Sequence, residues 1–420
     1  MAEPRDVVKA SRVFVPGGRP TITYVPRAKL DLERRLDDYV DERHKVLSVS
    51  GPTKTGKTVL LRSRVKDAVW LSGGSIQTVD DFWSALADGL GADSETGIDG
   101  QLSQTETETA GGGASGGLVK ADYSGAEAIT RGRTHVRRQK HSPKDAARAL
   151  LLAEPERIVV IDDFHYVPAG VQLQIARGLK DLVFEGVGCI VAAVPHRAYD
   201  VVRVEKEMTG RVVQLEVGFW SAADLREIAV RGFAALNVNA DDAIVDRLVR
   251  EAFQSPHLMQ EFCRELCKFN GVLETESEPR QLAAPDWPSF FAAMAPGTSK
   301  AAFDLLARGP RQRSDRKPRR LSDGSETDIY GAVLRAIAKT GPLTELTYEQ
   351  LRGALRDVLT EDVPQRHEVT RVLEEMSKIA REQLEGEPVV DYDTELATLY
   401  ISDPYFAYWL RWGSHNASKG

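Results

Sequence analysis

Residues 45–58 read KVLSVSGPTKTGKT, and the class of fold can be predicted from them. Its first part, KVLSVS, is a short apolar run that predicts a buried strand, and the VLLRSRV that follows predicts the start of a helix. Between them, residues 51–58 fit the pattern G-x-x-x-x-G-K-[ST] at every position. Glycines in such a loop let backbone N–H groups turn inward around phosphate oxygens, and the following helix adds the positive end of its dipole. We therefore expect a phosphate-binding loop between strand and helix.

The polar residues of this loop have separate expected tasks. The Lys57 ammonium should reach the β- and γ-phosphates of a nucleoside triphosphate, and the Thr58 hydroxyl should coordinate Mg²⁺. ATP with Mg²⁺ is therefore the expected ligand. The residues expected to contact the nucleotide are those of the loop and the next helical residue, namely Gly51, Pro52, Thr53, Lys54, Thr55, Gly56, Lys57, Thr58 and Val59.

A second acidic motif lies where another predicted strand ends. Residues 157–161 (RIVVI) are an apolar run that is followed at once by Asp162 and Asp163. Because the carboxyl ends of parallel strands meet at the ligand-binding edge of a sheet, we assign Asp162 to Mg²⁺. Asp163 is expected to orient or deprotonate the attacking water, and its short side chain suggests slow turnover. The alternative for both acids is capping of the segment that begins at Pro168.

Further apolar runs alternate with helical patterns along the first half of the chain. AVWL at 68–71, GCIVAAV at 188–194 and RVVQLEV at 211–217 each predict a strand. Short apolar strands separated by helices indicate an α/β fold, in which a parallel sheet of the P-loop nucleotide triphosphatase type carries helices on both faces. Beyond Val217 strands nearly vanish, and we expect a helical lid followed by a winged-helix region.

Composition divides the chain further. Residues 91–141 are rich in Gly, Ser and Thr and cannot bury enough apolar surface to offset their ordering entropy, so we expect a mobile insertion there. The predicted organisation is an irregular N-terminal arm at 1–22, an ATPase domain at 23–218 that contains this insertion, a helical lid at 219–275, a linker at 276–296 and a winged-helix-like domain at 297–420.

Bulk properties restrict the class of protein. The 420 residues carry a net charge of −7, which argues against a protein that coats nucleic acid non-specifically but leaves room for a local basic patch. The three cysteines are too few for a disulfide framework and fit a reducing compartment. The sequence shows neither an apolar signal segment nor a run long enough to cross a bilayer, so we expect a cytoplasmic protein with no membrane contact.

The C-terminal region predicts three helices and a hairpin. Helical patterns at 328–339, 347–358 and 369–379 precede strand patterns at 388–392 and 398–401, which is the order of a winged helix. The third helix, with its flanks at 365–385, carries four Lys or Arg against five Glu, a poor balance for DNA. The run Arg308–Arg320 has seven Lys or Arg against one Asp. It is either solvated surface or the contact site of an anionic partner.

Several motifs taken together resemble a known family. The order of the P-loop, the IVVIDDFH run and a strand that ends in VPHR resembles the STAND branch of AAA+-related ATPases, including archaeal-type ATPases. The resemblance implies that Arg197 senses the γ-phosphate. Val25 in YVPR and Pro256 in SPHL occupy places that the family uses beside the base. The closing SDPYFAYWLRW also resembles the end of archaeal-type ATPases, and we expect its aromatic residues to pack as core.

Two functions of different classes follow. The first is a slowly hydrolysing STAND-type switch, in which ATP controls conformation, self-association or binding of a protein effector, with a role in bacterial or archaeal conflict or stress signalling. The alternative is a DNA-binding AAA+ ATPase of the replication-initiator or transposition-helper kind, which would use Arg308–Arg320 or the winged helix. A non-hydrolysing scaffold is a third and weaker hypothesis. Whether Arg203 or Arg211 acts as a finger in a neighbouring subunit stays open.

Overall fold

A computed structural model describes residues 7–92, 142–194, 210–295, 297–310, 316–341, 343–384 and 388–413. The predicted insertion at 91–141 lies outside these ranges apart from its first two residues, so its predicted mobility stays a prediction. Arg197 and Arg203 also lie outside the described residues.

The first half of the chain is organised around a parallel sheet. Its five strands lie in the order β2-β3-β4-β1-β5, and every neighbouring pair is parallel. This confirms the predicted α/β class and its parallel P-loop sheet. The strands are β1 Val46–Ser50, β2 Ala68–Ser72, β3 Ile158–Asp162, β4 Cys189–Ala193 and β5 Val212–Glu216.

Helices cover both faces of this sheet, as the continuous apolar strands require. On one face the core contains Leu36 and Leu61 packed against Leu47 and Val160. On the other face Phe82 and Leu179 pack against Val159, among others. The first face carries α2 Leu32–Glu42 and α3 Lys57–Arg64, and the second carries α4 Val79–Gly89, α5 Pro143–Ala153 and α6 Ala169–Phe184.

A helical layer follows the sheet in the chain. It contains α7 Ala222–Ala235, α8 Asp242–Glu251, α9 Pro256–Phe269, α10 Trp287–Ala293 and α11 Gly297–Arg308, with two short strands, β6 Val238–Asn239 and β7 Arg280–Gln281.

The N-terminal segment also belongs to this layer. Its short helix α1 Ala10–Val13 ends beside Phe14, whose ring stacks edge-on against Phe233 at 5.5 Å. The Ala10 N–H donates to the Leu273 carbonyl, which anchors the segment beyond the end of α9.

The last part of the chain alternates helices with short antiparallel strands. After a small hairpin, β8 Arg319–Arg320 and β9 Glu326–Thr327, come α12 Ile329–Lys339, β10 Glu345–Thr347, α13 Tyr348–Val358, α14 Arg366–Gln383, β11 Val390–Asp393, β12 Thr398–Ile401 and α15 Pro404–Trp412. Strands β10, β12 and β11 form a three-stranded antiparallel sheet. Thr347 and Gln350 close a capping box at the start of α13, as their spacing predicts.

The helical layer and the C-terminal elements share one hydrophobic core. Phe262 of α9 contacts Phe291 of α10 at 5.2 Å and Tyr408 of α15 at 5.3 Å between ring centroids. Phe406 and Trp409 are buried as well, which confirms the prediction that the closing aromatics pack as core. The C-terminal helix is therefore fixed against the helical layer by apolar contact. Within the described residues, no helix has the length and apolar content needed to cross a bilayer.

Candidate functional site

The predicted phosphate-binding loop connects β1 to α3 at the carboxyl edge of the sheet. Gly51 must be a glycine, because a Cβ there would lie 2.2 Å from the Val217 carbonyl oxygen. Gly56 and Lys54 both have a positive φ, +95° and +58°, so the loop turns twice through the left-handed region. The helix α3 begins at Lys57, directly after the second glycine. The sequence pattern thus produces the strand–loop–helix cradle that it predicts.

The Lys57 side chain lies inside this cradle. Its Nζ donates to the carbonyl oxygens of Gly51 at 2.7 Å and Pro52 at 3.0 Å, and the residue is buried. The ammonium is therefore held inside the loop by two backbone carbonyls. In this position it can contribute a positive charge to phosphate oxygens.

Thr58 and Asp162 meet across the sheet edge. The Thr58 hydroxyl donates to Asp162 Oδ2 at 2.8 Å, although the residues are 104 positions apart. The second oxygen, Oδ1, accepts from the Asp163 N–H at 3.1 Å. Adjacent oxygen ligands of an octahedral Mg²⁺ lie about 2.9 Å apart. A hydroxyl and a carboxylate at this separation therefore fit the hard, oxygen-preferring cation that the motifs imply.

Asp163 occupies a turn immediately after β3. Its φ is +56°, and its carbonyl approaches Gly73 so closely that a Cβ there would lie 2.2 Å away. The residue is half-buried and lines the same cavity as the phosphate-binding loop. The structure therefore brings both predicted carboxylates to the phosphate end of one site.

Arg211 lies at the other end of the sheet. Its carbonyl accepts from the Val46 N–H at the start of β1, whereas the phosphate-binding loop follows the end of that strand. The arginine is therefore remote from the phosphate-binding loop of its own chain. Whether it acts as a finger in a neighbouring subunit stays open.

The phosphate-binding loop opens into a cavity of about 620 Å³. Val25 and Pro256, which the family resemblance places beside the base, both line this cavity. Gly17, His257 and Asp403 line it as well, and the sequence motifs did not point to any of them. The cavity is thus bounded by the sheet, by the N-terminal segment, by the helical layer and by the C-terminal helix.

Polar contacts fasten the N-terminal segment to the wall of the cavity. The buried Gln260 of α9 accepts from the Val15 N–H at 3.1 Å, and its Nε2 donates to Thr23 Oγ1 at 2.8 Å. Tyr24 donates to Glu33 at 2.7 Å, and burial together with this bond raises the Tyr24 pKa to about 12. The tyrosine therefore stays a neutral donor at physiological pH.

A second set of contacts ties the loop to the start of the helical layer. The buried Arg27 donates to the Gly218 carbonyl at 2.6 Å, and its guanidinium lies 5.0 Å from the Trp220 ring centroid. Burial lowers the Arg27 pKa. The Trp220 indole N–H donates to the Thr55 carbonyl at 2.8 Å. A displacement of Trp220, at the junction after β5, would therefore break or shift its hydrogen bond to the backbone of the loop.

The C-terminal helix α15 contacts the phosphate-binding loop through its first turn. Lys54 Nζ lies 2.8 Å from Asp403 Oδ1 and 4.4 Å from the Tyr405 ring centroid. Asp403 also caps α15, because its Oδ1 accepts from the Tyr405 N–H at 2.9 Å. One carboxylate thus holds the helix terminus and contacts the predicted phosphate-binding loop.

Strand order, loop and acidic strand end together define a P-loop nucleotide triphosphatase fold. Comparisons with known proteins agree: no family model and no curated protein matches, but solved structures do. A Walker-type ATPase of Pyrococcus abyssi is 14% identical with a TM-score of 0.54, over 92% of this chain and 96% of that one. The ORC2 protein of Aeropyrum pernix is 13% identical with a TM-score of 0.47, over 99% and 100%.

The ORC1 protein of Aeropyrum pernix, solved in complex with DNA, is 13% identical with a TM-score of 0.43 over 100% of both chains. The likeness to the Pyrococcus abyssi structure supports the P-loop nucleotide triphosphatase fold.

Proposed function

We propose that the protein binds ATP with a divalent cation, Mg²⁺, and hydrolyses it. The observation that carries this proposal is the 2.8 Å contact between Thr58 and Asp162, which places a hydroxyl and a carboxylate together beside the Lys57 ammonium. When bound, Mg²⁺ would neutralise charge on the phosphate oxygens. Thr58 and Asp162 would hold it.

The remaining chemistry is assigned to the chain's own residues. Backbone N–H groups of 51–58 and the Lys57 ammonium would stabilise charge on the transferred phosphoryl group. Asp163 would orient a water for attack on the γ-phosphorus, so that the new P–O bond forms as the bond to the ADP oxygen breaks. The γ-phosphate contact of Arg197 remains a prediction from the family resemblance.

The test is multiple-turnover phosphate release by the purified full chain with ATP and Mg²⁺. Lys57→Ala should lower the rate at least about 100-fold, because removing one preorganised donor typically costs that much. Lys66→Ala, which removes the same charge from an exposed position after α3, is the matched control. Equal rates for the two variants would show that the loop does not perform hydrolysis.

We propose that ATP hydrolysis controls DNA binding by the C-terminal region. The order α12, β10, α13, α14 and the β11–β12 hairpin is that of a winged helix, in which α14 would be the recognition helix. Glu368 of α14 is engaged with the Gln365 N–H at 2.8 Å and with Arg319 at 3.6 Å. Arg371 and Lys378 are exposed on the same helix. Glu374 and Glu382 are exposed on this helix too, so its exposed face carries both signs of charge.

The basic run before α12 is a weaker candidate for DNA. Of its described residues, Arg316 pairs with Asp328 at 2.7 Å, and Lys317 lies 3.7 Å from Glu361. Arg319 contacts Glu368, as noted above. These acids compensate the charge that phosphates would otherwise neutralise. Among the described residues, Arg371 and Lys378 of α14 have no such ion pair, which makes them the first cations to test for DNA contact.

Fluorescence anisotropy with a duplex oligonucleotide at several salt concentrations tests this use. The double change Arg371→Glu and Lys378→Glu should weaken binding and lower the salt slope by about 0.9 for each lost phosphate contact. Lys66→Glu and Lys45→Glu, on the ATPase half, control for the altered net charge. Binding that is absent at low salt, or unaffected by the α14 changes, would refute the DNA proposal.

The second candidate function is the nucleotide-operated switch, with self-association or a protein effector as its output. The Lys54–Asp403 contact favours it, because the loop that would hold phosphate also holds the C-terminal helix. Size and shape of the full chain should then change between ADP and ATP, as measured by scattering and sedimentation. An identical scattering profile and sedimentation coefficient in both nucleotides would exclude the switch.

A further inference from the structure

One wall of the cavity carries a histidine whose two ring nitrogens have different surroundings. His257 is the second residue of α9 and lines the cavity together with Gly17. Its Nδ1 lies 2.6 Å from the Tyr405 hydroxyl oxygen. Its Nε2 has no hydrogen-bond partner in the described part of the chain, and a Cβ on Gly17 would lie 3.0 Å from it. The Nε2 edge therefore faces a glycine and the cavity.

A chain of hydrogen bonds decides which nitrogen of His257 carries the proton. Tyr405 donates its single hydroxyl proton to Glu261 Oε2, and burial together with this bond raises the Tyr405 pKa, so the proton is retained. Its oxygen can then only accept from His257, which means that Nδ1 carries the N–H. Burial lowers the His257 pKa and favours the neutral ring. A neutral ring with its proton on Nδ1 presents Nε2 as an acceptor.

We propose that His257 selects adenine over guanine by accepting a hydrogen bond from the exocyclic amine of adenine at Nε2. This inference rests on the proposed ATP binding and names the residue that reads the base. Guanine carries a carbonyl oxygen where adenine carries the amine, so two acceptors would face each other with no proton between them. A site that offers one fixed polar partner rejects an analogue that cannot pair with it.

The surroundings of Nε2 favour a base over a sugar as its partner. Val25, Ile228 and Pro256 line the same cavity with apolar surface, which suits a planar ring better than a hydroxylated one. A Cβ on Gly17 would lie 3.0 Å from Nε2, so the glycine keeps this position beside the imidazole edge free of a side chain.

Glu261 and Tyr405 act only through the ring of His257 and are positioning residues. Tyr405 belongs to α15, whereas His257 and Glu261 belong to α9. The base is therefore read by a histidine whose tautomer is set from the C-terminal helix. Selectivity for adenine accordingly depends on the docked position of that helix.

The experiment measures calorimetric binding of Mg²⁺ complexes of ATP, GTP and 2′-deoxy-ATP to the full chain. His257→Asn keeps an N–H donor for Tyr405 near the Nδ1 position and removes the Nε2 acceptor. Affinity for ATP and for 2′-deoxy-ATP should fall about 3- to 10-fold, the value of one neutral hydrogen bond, while GTP affinity should not fall, because the change removes the acceptor that opposes its carbonyl oxygen.

Glu261→Gln is the second variant and changes no shape. A glutamine amide can donate to Tyr405, which then can donate to Nδ1 and move the histidine proton to Nε2. The ratio of ATP to GTP affinity should fall in this variant with little change in thermal stability. Adding Glu261→Gln to His257→Asn should leave the ratio of ATP to GTP affinity equal to that of His257→Asn alone.

The outcomes separate the two proposals. If the wild type binds no nucleotide, the proposed ATPase function fails first. If the wild type binds ATP and both variants keep its ATP-to-GTP ratio, only the assignment to His257 is overturned. A loss that appears with ATP but not with 2′-deoxy-ATP would identify a ribose hydroxyl as the partner and overturn the base assignment. If His257→Asn does not fold, Glu261→Gln decides alone.

Discussion

Replacing Asp162 by asparagine isolates the charge that the proposed cation site requires. The change keeps the size of the side chain and an oxygen that can accept from Thr58, whose hydroxyl lies 2.8 Å from Oδ2. It removes the negative charge. A hydrogen bond or contact to a charged group contributes about 1.5–3 kcal/mol, so the midpoint of Mg²⁺ dependence should shift about 10- to 150-fold.

Asp163→Asn is the matched change one residue later. Its φ of +56° lies in the left-handed region, which asparagine adopts more readily than most residues, so the turn should be preserved. Because Asp163 is proposed to act on the water, nucleotide affinity should be retained. The rate of hydrolysis should fall about 100-fold or more, the usual contribution of a general base.

The assay titrates Mg²⁺ against binding of a fluorescent ATP analogue and measures single-turnover phosphate release from the same preparations. The reasoning requires that Asp162→Asn moves the Mg²⁺ midpoint and that Asp163→Asn moves only the rate. Two outcomes would refute it. One is an unchanged Mg²⁺ midpoint in Asp162→Asn, and the other is a loss of MgATP affinity in Asp163→Asn equal to that in Asp162→Asn.

Three further predictions concern the contacts of the C-terminal helix. Asp403→Asn keeps the cap of α15 and loses the charge that faces Lys54. Asp403→Ala loses the charge and also the cap, which contributes about 1 kcal/mol. The melting temperature should therefore fall less in Asp403→Asn than in Asp403→Ala. Glu251→Gln should destabilise by about 3 kcal/mol in urea unfolding, because the fully buried carboxylate contacts Arg411 at 3.0 Å and Arg247 at 3.3 Å, and a neutral amide no longer balances their charge. A wild-type urea midpoint would contradict this. Burial lowers the folded-state pKa of His257 below the unfolded-state pKa near 6.5. The contribution of the neutral histidine to stability should therefore be complete above about pH 6.5 and be lost as the pH falls below it. In thermal melts, His257→Asn should lose less stability than the wild type between pH 7 and about pH 5.

The sequence predicts those parts of the site that depend on strand ends. Thr58 and Asp162 are far apart in the chain, yet each follows a recognisable apolar strand. Because parallel strands end at the same edge, their meeting could be expected without any coordinates. The parallel sheet and its helical cover follow from the same alternation of apolar runs.

Other parts of the site carry no such pattern. Lys54 and Asp403 are 349 positions apart and belong to no shared motif. Asp403 looks like an ordinary helix cap in sequence, and Tyr405 looks like one more aromatic residue of a core helix. Their second roles arise only because the C-terminal helix packs beside the phosphate-binding loop. Contacts of this kind depend on tertiary packing, which local pattern does not specify.

The N-terminal arm shows a related limit. Its turn-forming residues predict irregular structure, but Phe14 is fully buried against Phe233, and Gly17 lines the cavity. Proline and glycine indicate where regular secondary structure ends. They do not indicate whether the segment is exposed or buried. Burial of such a segment is set by the partner surface, which here is α7 and α9.

The shape of the cavity has a thermodynamic consequence for the proposed functions. Asp403 and Val389 of the C-terminal region line the same space as Lys57 of the loop. A ligand that fills this space contacts both regions. Its binding free energy therefore differs between a state in which the C-terminal elements pack beside the loop (docked) and a state in which they have moved away from it (displaced). If DNA binds the displaced position better through α14, ATP and DNA affinities are coupled by one factor in both directions. Measuring ATP affinity with and without DNA, and DNA affinity with and without ATP, should give the same ratio, and that ratio should differ from one. A ratio of one would show that DNA and ATP do not act through this shared equilibrium.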